Sequence, residues 1–394
     1  MRICHIWQNF FPIESGGVER YLLGLSDYLY QKDGTHFLLI TDKGAYVPLS
    51  RSLRLSSHQK INSLDVYRLG PNVSSILAGA YCRTLNRQST VLNTLMGENL
   101  YREATKIPGI DEVDVFHVHG FWQPLYPTIG LLLSKRFNRP FVVTLHGDSV
   151  NVNDPFAMPI KSPRTISLLR QASAITTFSR DTYVLLRQLG LGEKCHLIPN
   201  FMNVSSFKRP NSNLPKNGTK IVMVSRLSKP KDPITPIKAF VGVKKEIPNA
   251  TFTIVGYGPL YDYMSRLISS LNLDQAVKLV GVQSDVRKFL WDSDIYIGTR
   301  GSYITTLEAW AAGIVVIAPE FGIMKELVSN GQNGLLTPPG DVGQLASELV
   351  RVLKNKDFSA NLVANGLKTA EEHDIGTICP RIGALYKLLK EQSN

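Results

Sequence analysis

Residues 220–244 read KIVMVSRLSKPKDPITPIKAFVGVK. After its leading lysine, Lys220 to Val224 is an apolar run of strand length. Val224 to Asp232 is a polar loop carrying Arg226 and Lys231, and Pro233 to Lys244 has apolar residues at helical spacing. A buried strand feeding a helix is the first part of a β-α-β unit, and the next apolar run, Thr251 to Val255, completes it. The alternation continues through Leu260 to Leu271, Val277 to Val280, Val286 to Trp291, Ile295 to Ile297, Thr305 to Ala312, Val315 to Ala318 and Val342 to Leu353. Such a succession calls for a parallel sheet with helices on both faces.

The same pattern runs upstream, through Arg2 to Trp7, Val18 to Gln31, Phe37 to Thr41, Val113 to Val118, Pro124 to Arg136, Phe141 to Thr144, Ile166 to Ala172, Ile175 to Phe178, Asp181 to Leu189 and Cys195 to Ile198. A polar stretch from Asn203 to Lys220 interrupts it and reads as a linker. The expectation is an α/β protein of two doubly wound domains, 1–203 and 204–370, with the linker at about 203–220. The tail, 371–394, forms a helix with Ile378, Ile382, Leu385, Tyr386 and Leu389 on one side, packing back on the first domain. At 394 residues the chain has the length for two such domains, and two domains frame one cleft. Region 44–110 is the least readable; its amphipathic stretches suit an insertion.

Composition narrows the function classes. With 43% hydrophobic and 19% charged residues the chain is globular. The longest apolar runs, such as Ile314 to Ala318 and Ile129 to Leu133, fall far short of the ~18 residues of a spanning helix. No apolar leader follows the first strand, so a cytoplasmic protein is expected. Cys4, Cys82, Cys195 and Cys379 lie far apart without a CxxC pair, which fits structural thiols in a reducing compartment. The Asn-x-Ser/Thr triplets at Asn72, Asn203, Asn217 and Asn249 then carry no weight. The net charge of +12 is spread, 21 minus 15 before residue 205 and 23 minus 17 after it, with no basic arm interleaved with aromatics. That argues against nucleic acid and leaves phosphorylated small molecules and an anionic membrane surface as partners.

Doubly wound sheets bind ligands outside the carboxyl ends of their strands. Gly16-Gly17 opens a helix after the first strand, either as an anion-binding approach or as a tight turn. Arg226 and Lys231, five residues apart on one strand-end loop, suit a diphosphate, with a solvated charged loop as the plainer alternative. Thr299 to Gly313 reads as strand end, small-residue turn and helix. Amides near Tyr303, Ile304, Thr305 and Thr306 could hold a phosphate, and Glu308 could accept from a diol or simply complement the helix dipole.

An ordered set of motifs accompanies these loops: Asp114-Val-Phe-His117-Val-His119-Gly120, Thr144-Leu-His146-Gly147, Ile198-Pro199-Asn200, Val224-Ser-Arg226-Leu with Lys231, Val255-Gly256-Tyr-Gly258-Pro259, Leu307-Glu308-Ala309 with Gly313, and Asn333-Gly334 through Gly340-Asp341. Together they resemble glycosyltransferase family 4, the retaining enzymes of GT-B fold, from residue 2 to the tail helix. The resemblance implies two Rossmann-like domains facing a central cleft and transfer of a sugar from a nucleotide-sugar, UDP-sugar first and GDP-sugar next, to a glycan or lipid-linked glycan. It places the donor on the second domain, with Arg226 and Lys231 on the diphosphate, Glu308 on the ribose, and Gly256, Arg300, Gly301 and the 303–306 turn lining the site. From the first domain, Gly16 and Gly17 approach the diphosphate and His146 touches the donor sugar. His119, Trp122 and Asn200 are acceptor-side candidates. Neither metal nor cofactor is expected.

One position departs from the family. Its first glutamate falls here on Arg300, so a cation stands where a carboxylate holds donor-sugar hydroxyls, and Ser302 and Tyr303 replace an aromatic and a glycine. Arg300 pairs with an anionic sugar or phosphate, or points away. Two rivals follow: a degenerate transferase that binds nucleotide or glycan without turnover, and a metal-dependent hydrolase built on His117, His119, His146 and Asp148.

Overall fold

The computed structural model describes residues 1–8, 10, 16–43, 55–70, 90–120, 125–147, 160–210 and 218–393. The chain forms two compact units, Met1–Pro199 together with Ile375–Asn394, and Asn200–Asp374.

The first unit is built on strands β1 (Arg2–Ile6), β2 (His36–Asp42), β3 (His58–Ile61), β4 (Leu64–Leu69), β5 (Val115–His119), β6 (Phe141–Leu145), β7 (Ala174–Thr177) and β8 (Cys195–Leu197), in the order β3-β4-β2-β1-β5-β6-β7-β8. Among the described residues only the β3–β4 hairpin is antiparallel. Strand order reverses between β1 and β5, which opens a crevice at their carboxyl ends. Strands β5 and β6 are buried at every position; β6 reads as a near-continuous apolar run, whereas β5 carries the buried polar His117 and His119. The helix Leu125–Phe137 lies flush on the sheet because Gly130 has no side chain; a Cβ there would stand 2.3 Å from Val118 Cγ2.

The tail helix Ile375–Glu391 belongs to this unit. Its Ile378, Ile382, Leu385, Tyr386 and Leu389 are all buried, as the helical spacing requires. At its margin Lys387 pairs with Asp33 at 2.8 Å, Lys390 with Asp114 at 3.0 Å, and Arg381 Nη2 donates to the Leu197 carbonyl at 3.0 Å. Region 44–110 contains the β3–β4 hairpin and the helix Thr90–Ala104, which periodicity did not show; residues 44–54 and 71–89 of it lie outside the described residues. The hairpin turns at Asn62, whose φ of 52° is left-handed, and Asp27 fastens it by accepting from Asn62 Nδ2, Ser63 N and Ser63 Oγ.

The second unit carries β9 (Lys220–Val224), β10 (Thr251–Val255), β11 (Val277–Leu279), β12 (Ile295–Ile297), β13 (Val315–Pro319) and β14 (Leu335–Thr337), all parallel, in the order β11-β10-β9-β12-β13-β14. Its reversal lies between β9 and β12, the two strands whose following loops hold Arg226 and Arg300. Ile221, Met223, Ile237, Phe240, Phe252 and Ile254 form the core beneath it. On the helix Tyr303–Ala311, Trp310 is fully buried against Gly366 of the helix Lys356–Glu372, where a Cβ would come within 2.3 Å of the indole.

Candidate functional site

At the reversal of the second sheet the loops after β9 and β12 are tied together. Ser225 Oγ lies 3.1 Å from Thr299 Oγ1, and Lys231 Nζ donates to the Arg300 carbonyl at 2.6 Å. A third loop closes on them: Leu227 N donates to the Tyr257 carbonyl at 3.1 Å and Gly256 N to the Gly281 carbonyl at 2.8 Å. Gly256 makes this approach possible, since its φ is +139° and a Cβ would stand 1.9 Å from the Ser225 carbonyl oxygen. Its role here is close backbone packing, which sets the spacing of the loops that carry Arg226 and Lys231. Arg226 is exposed and Lys231 half-buried, so one cation faces water and the other is held in place. Lys231, Arg300, Gly298, Thr299, Pro319, Thr337 and Gly340 share the wall of one pocket at these strand ends.

The helix Tyr303–Ala311 starts without a side-chain cap. Ser302, its N-cap residue, uses its hydroxyl on the preceding turn, accepting from Thr299 N at 3.0 Å and donating to the Thr299 carbonyl at 2.8 Å. Gly301, at φ +66°, closes that turn. The Ser302 hydroxyl is therefore not spent on the first-turn amides, which suits an anion there. Glu308 lies further along this helix and is 2% exposed. Tyr303 is buried and its phenol accepts from the Asn200 backbone N–H, burial pushing its titration upward; the ring belongs to the packing beneath the turn. Asn200 thus lies beside Tyr303 in the second unit. The Arg300 guanidinium stacks 4.5 Å over the Phe321 ring, and its buried Nε has no hydrogen-bond partner among the described residues.

In the first unit Gly16 caps the helix Gly17–Asp33, but its amide is taken: Glu19 Oε2 accepts from Gly16 N at 2.7 Å, while Glu19 Oε1 accepts from Trp7 Nε1 at 2.7 Å. The sequence signal for this was the Glu three residues after Gly16, a capping-box spacing. The Gly16 amide is accordingly spent on the protein, and a 3% exposed carboxylate partly offsets the attraction of this helix start for an anion. Tyr21 on the same helix meets the His146 ring edge to face at 5.0 Å. Trp122 and Asp148 lie outside the described residues.

His119 and His146 are brought together beside His117, three histidines that the hydrolase reading grouped, and His5, which sequence reasoning missed, joins them. His119 Nδ1 lies 2.9 Å from His146 Nε2, and His119 Nε2 lies 2.9 Å from His5 Nδ1. Beside this row, His117 Nδ1 meets the Tyr386 hydroxyl and His117 Nε2 the Thr144 hydroxyl, each at 2.6 Å. The available signal was the buried polar residue in three adjacent strand ends: His5 on β1, His117 and His119 on β5, and His146 just after β6.

Burial pulls His5 and His146 down to about 3, neighbouring His146 adding to the effect on His5; burial and adjacent histidines hold His117 and His119 well below the ordinary imidazole range. The folded rings are neutral, while in the unfolded chain each takes up a proton as pH falls past ~6.5. Stability from His5 and His146 is therefore complete above that value and lost as pH falls toward about 3. Unfolding free energies from urea titrations at about pH 7.5 and about pH 5 should differ by roughly 2 kcal/mol for each of the two histidines. Equal stability at both would show that the rings are already charged in the fold.

Residues 15–206 match the family model Glycosyltransferase Family 4, and residues 204–369 match the model Glycosyl transferases group 1. A phosphatidyl-myo-inositol mannosyltransferase of Mycolicibacterium smegmatis is 21% identical over 98% of this chain and 94% of its own. The sucrose-phosphate synthase of Thermosynechococcus elongatus superposes with a TM-score of 0.76 at 20% identity, covering 98% of each chain. Anabaena HepE, crystallised with UDP, superposes with a TM-score of 0.70 at 21% identity over 98% of this chain and all of its own. No helix of the described residues is long and apolar enough to cross a membrane. Two parallel sheets, each with its crevice at the strand-order reversal, and family matches that together run from residue 15 to 369 carry one conclusion: the chain is a GT-B glycosyltransferase of family 4, group 1.

Proposed function

We propose that the enzyme transfers a hexose from a nucleoside-diphosphate sugar, a UDP-sugar first and a GDP-sugar next, to a glycan or lipid-linked glycan, with retention at the anomeric carbon. The observation that carries this reading is the second-sheet reversal, where Lys231 is anchored on the Arg300 carbonyl beside the uncapped start of the helix holding Glu308. The acceptor hydroxyl bonds to the anomeric carbon on the face from which the diphosphate departs with its electron pair, and the hydroxyl proton passes to the leaving phosphate. Arg226, Lys231 and the first-turn amides neutralise the charge that builds there. Neither metal nor cofactor is called on for this. The UDP bound by HepE supports the nucleotide assignment, and the mannosyltransferase acting on phosphatidyl-myo-inositol supports a lipid-linked acceptor, as does the net charge of +12.

Arg300 favours a second reading, a binder without turnover, because its guanidinium replaces a sugar-holding carboxylate. Thermal melting with UDP, GDP and ADP, followed by assay of diphosphate release from the sugar conjugates, separates the two. The expected result is stabilisation by one diphosphate series, release of that diphosphate, and a product anomer matching the donor's. Stabilisation without release would install the binder, an inverted anomer would remove retention, and no stabilisation would remove the donor site.

A further inference from the structure

The row His5–His119–His146 has one internal asymmetry that fixes the direction of its hydrogen bonds. A neutral imidazole has one N–H and one acceptor nitrogen. His119 uses both ring nitrogens in the row, so it donates on one side and accepts on the other. Two arrangements are open, with all bonds running from His5 to His146 or all running back. His5 decides between them. Its Nδ1 faces His119, whereas its Nε2 is buried with no partner among the described residues, and its ring stacks on Phe37 at 5.3 Å and 7°.

If the bonds ran toward His5, its Nε2 would carry a hydrogen buried without an acceptor. If they run away from His5, that nitrogen is only an unused lone pair. Buried orphan N–H groups are the rarer and costlier of the two. The bonds therefore run His5 Nδ1–H to His119 Nε2, and His119 Nδ1–H to His146 Nε2. His146 then carries its own hydrogen on Nδ1, which has no partner among the described residues. His146 is also the end of the row nearest solvent, 8% exposed against 0% for His5 and 1% for His119.

We propose that His5 and His119 are positioning residues that lock His146 as its Nδ1–H tautomer, so that it meets the bound ligand as a neutral hydrogen-bond donor suited to a sugar hydroxyl oxygen. The role toward sugar rests on the transferase reading; the tautomer does not. His117 lies between two hydroxyls, Tyr386 at Nδ1 and Thr144 at Nε2, each of which can donate or accept, so no bond on it selects a tautomer.

Two-bond 1H–15N correlation on the full chain carrying ring-15N histidine reads this directly at pH 7. Signals are assigned by their loss in His5→Asn, His117→Asn, His119→Asn and His146→Asn. The expected spectrum has His5, His119 and His146 as Nδ1–H. His5→Asn, whose amide can still donate, should keep His146 as Nδ1–H, while His5→Phe should mix its tautomers and raise donor KM severalfold. An Nε2–H or charged His146 in the wild type would overturn the proposal. So would one equivalent of zinc retained through chelator dialysis, since ring nitrogens of His5, His117 and His119 lie within 4.8 Å of one another. The expected tautomers in a protein that transfers no sugar would leave the inference standing and remove only the transferase reading.

Discussion

Lys231→Ala is expected to lower kcat by ~10²–10³, the ~2.7–4 kcal/mol that one preset charge-stabilising donor supplies. The side chain is half-buried and its Nζ is already bonded to the Arg300 carbonyl, so little reorganisation is needed when charge appears on the leaving diphosphate. The same bond ties the loops after β9 and β12, and losing it costs about 1 kcal/mol of stability. The two contributions separate by measurement. Melting temperature should fall by only a few degrees while kcat per folded molecule collapses. Lys231→Arg should recover little, because a planar fork does not reproduce a compact ammonium with three rotatable donors. A variant that melts early but turns over normally when folded would leave Lys231 as a structural tether only.

The strands of both sheets were legible wherever burial on both faces makes the residues uniformly apolar, as in Ile221 to Val224 or Phe141 to Val143. Legibility failed where stability comes from a few specific bonds. The β3–β4 hairpin is exposed along β3, so its residues have no apolar pattern, and Asp27, far off in sequence, holds its turn. Strand β14, Leu335–Thr337, was missed, although β8, β11 and β12 are no longer than it and were read. In the site, the loop cations and the 299–313 turn stood out because a strand, a turn and a helix follow one another without interruption there. The Glu19 cap and the histidine row did not, since each joins residues distant in sequence: Trp7 with Glu19, and His5 with His119 and His146. Arg300 was visible as an exception, and its packing on Phe321 across a strand and helix could not be read from spacing.

Glu308→Gln is expected to weaken nucleoside-diphosphate binding by ~10–100-fold with little change in melting temperature. Glutamine keeps the shape of the side chain, which matters at a position only 2% exposed and followed at once by the buried Ala309 and Trp310. It removes the charge and exchanges one acceptor oxygen for a donor, so a ribose diol can no longer give both of its hydrogens to one carboxylate. Hydrogen bonds to a charged group are worth ~1.5–3 kcal/mol, which sets the size of the loss. Calorimetry on wild type and variant with the ribonucleotide and its 2′- and 3′-deoxy forms completes a double-mutant cycle. Wild type should lose affinity when a hydroxyl is removed, and the variant should be nearly indifferent to the same removal. If both proteins lose the same factor on deoxygenation, Glu308 does not touch the ribose, and its charge serves only the start of its own helix.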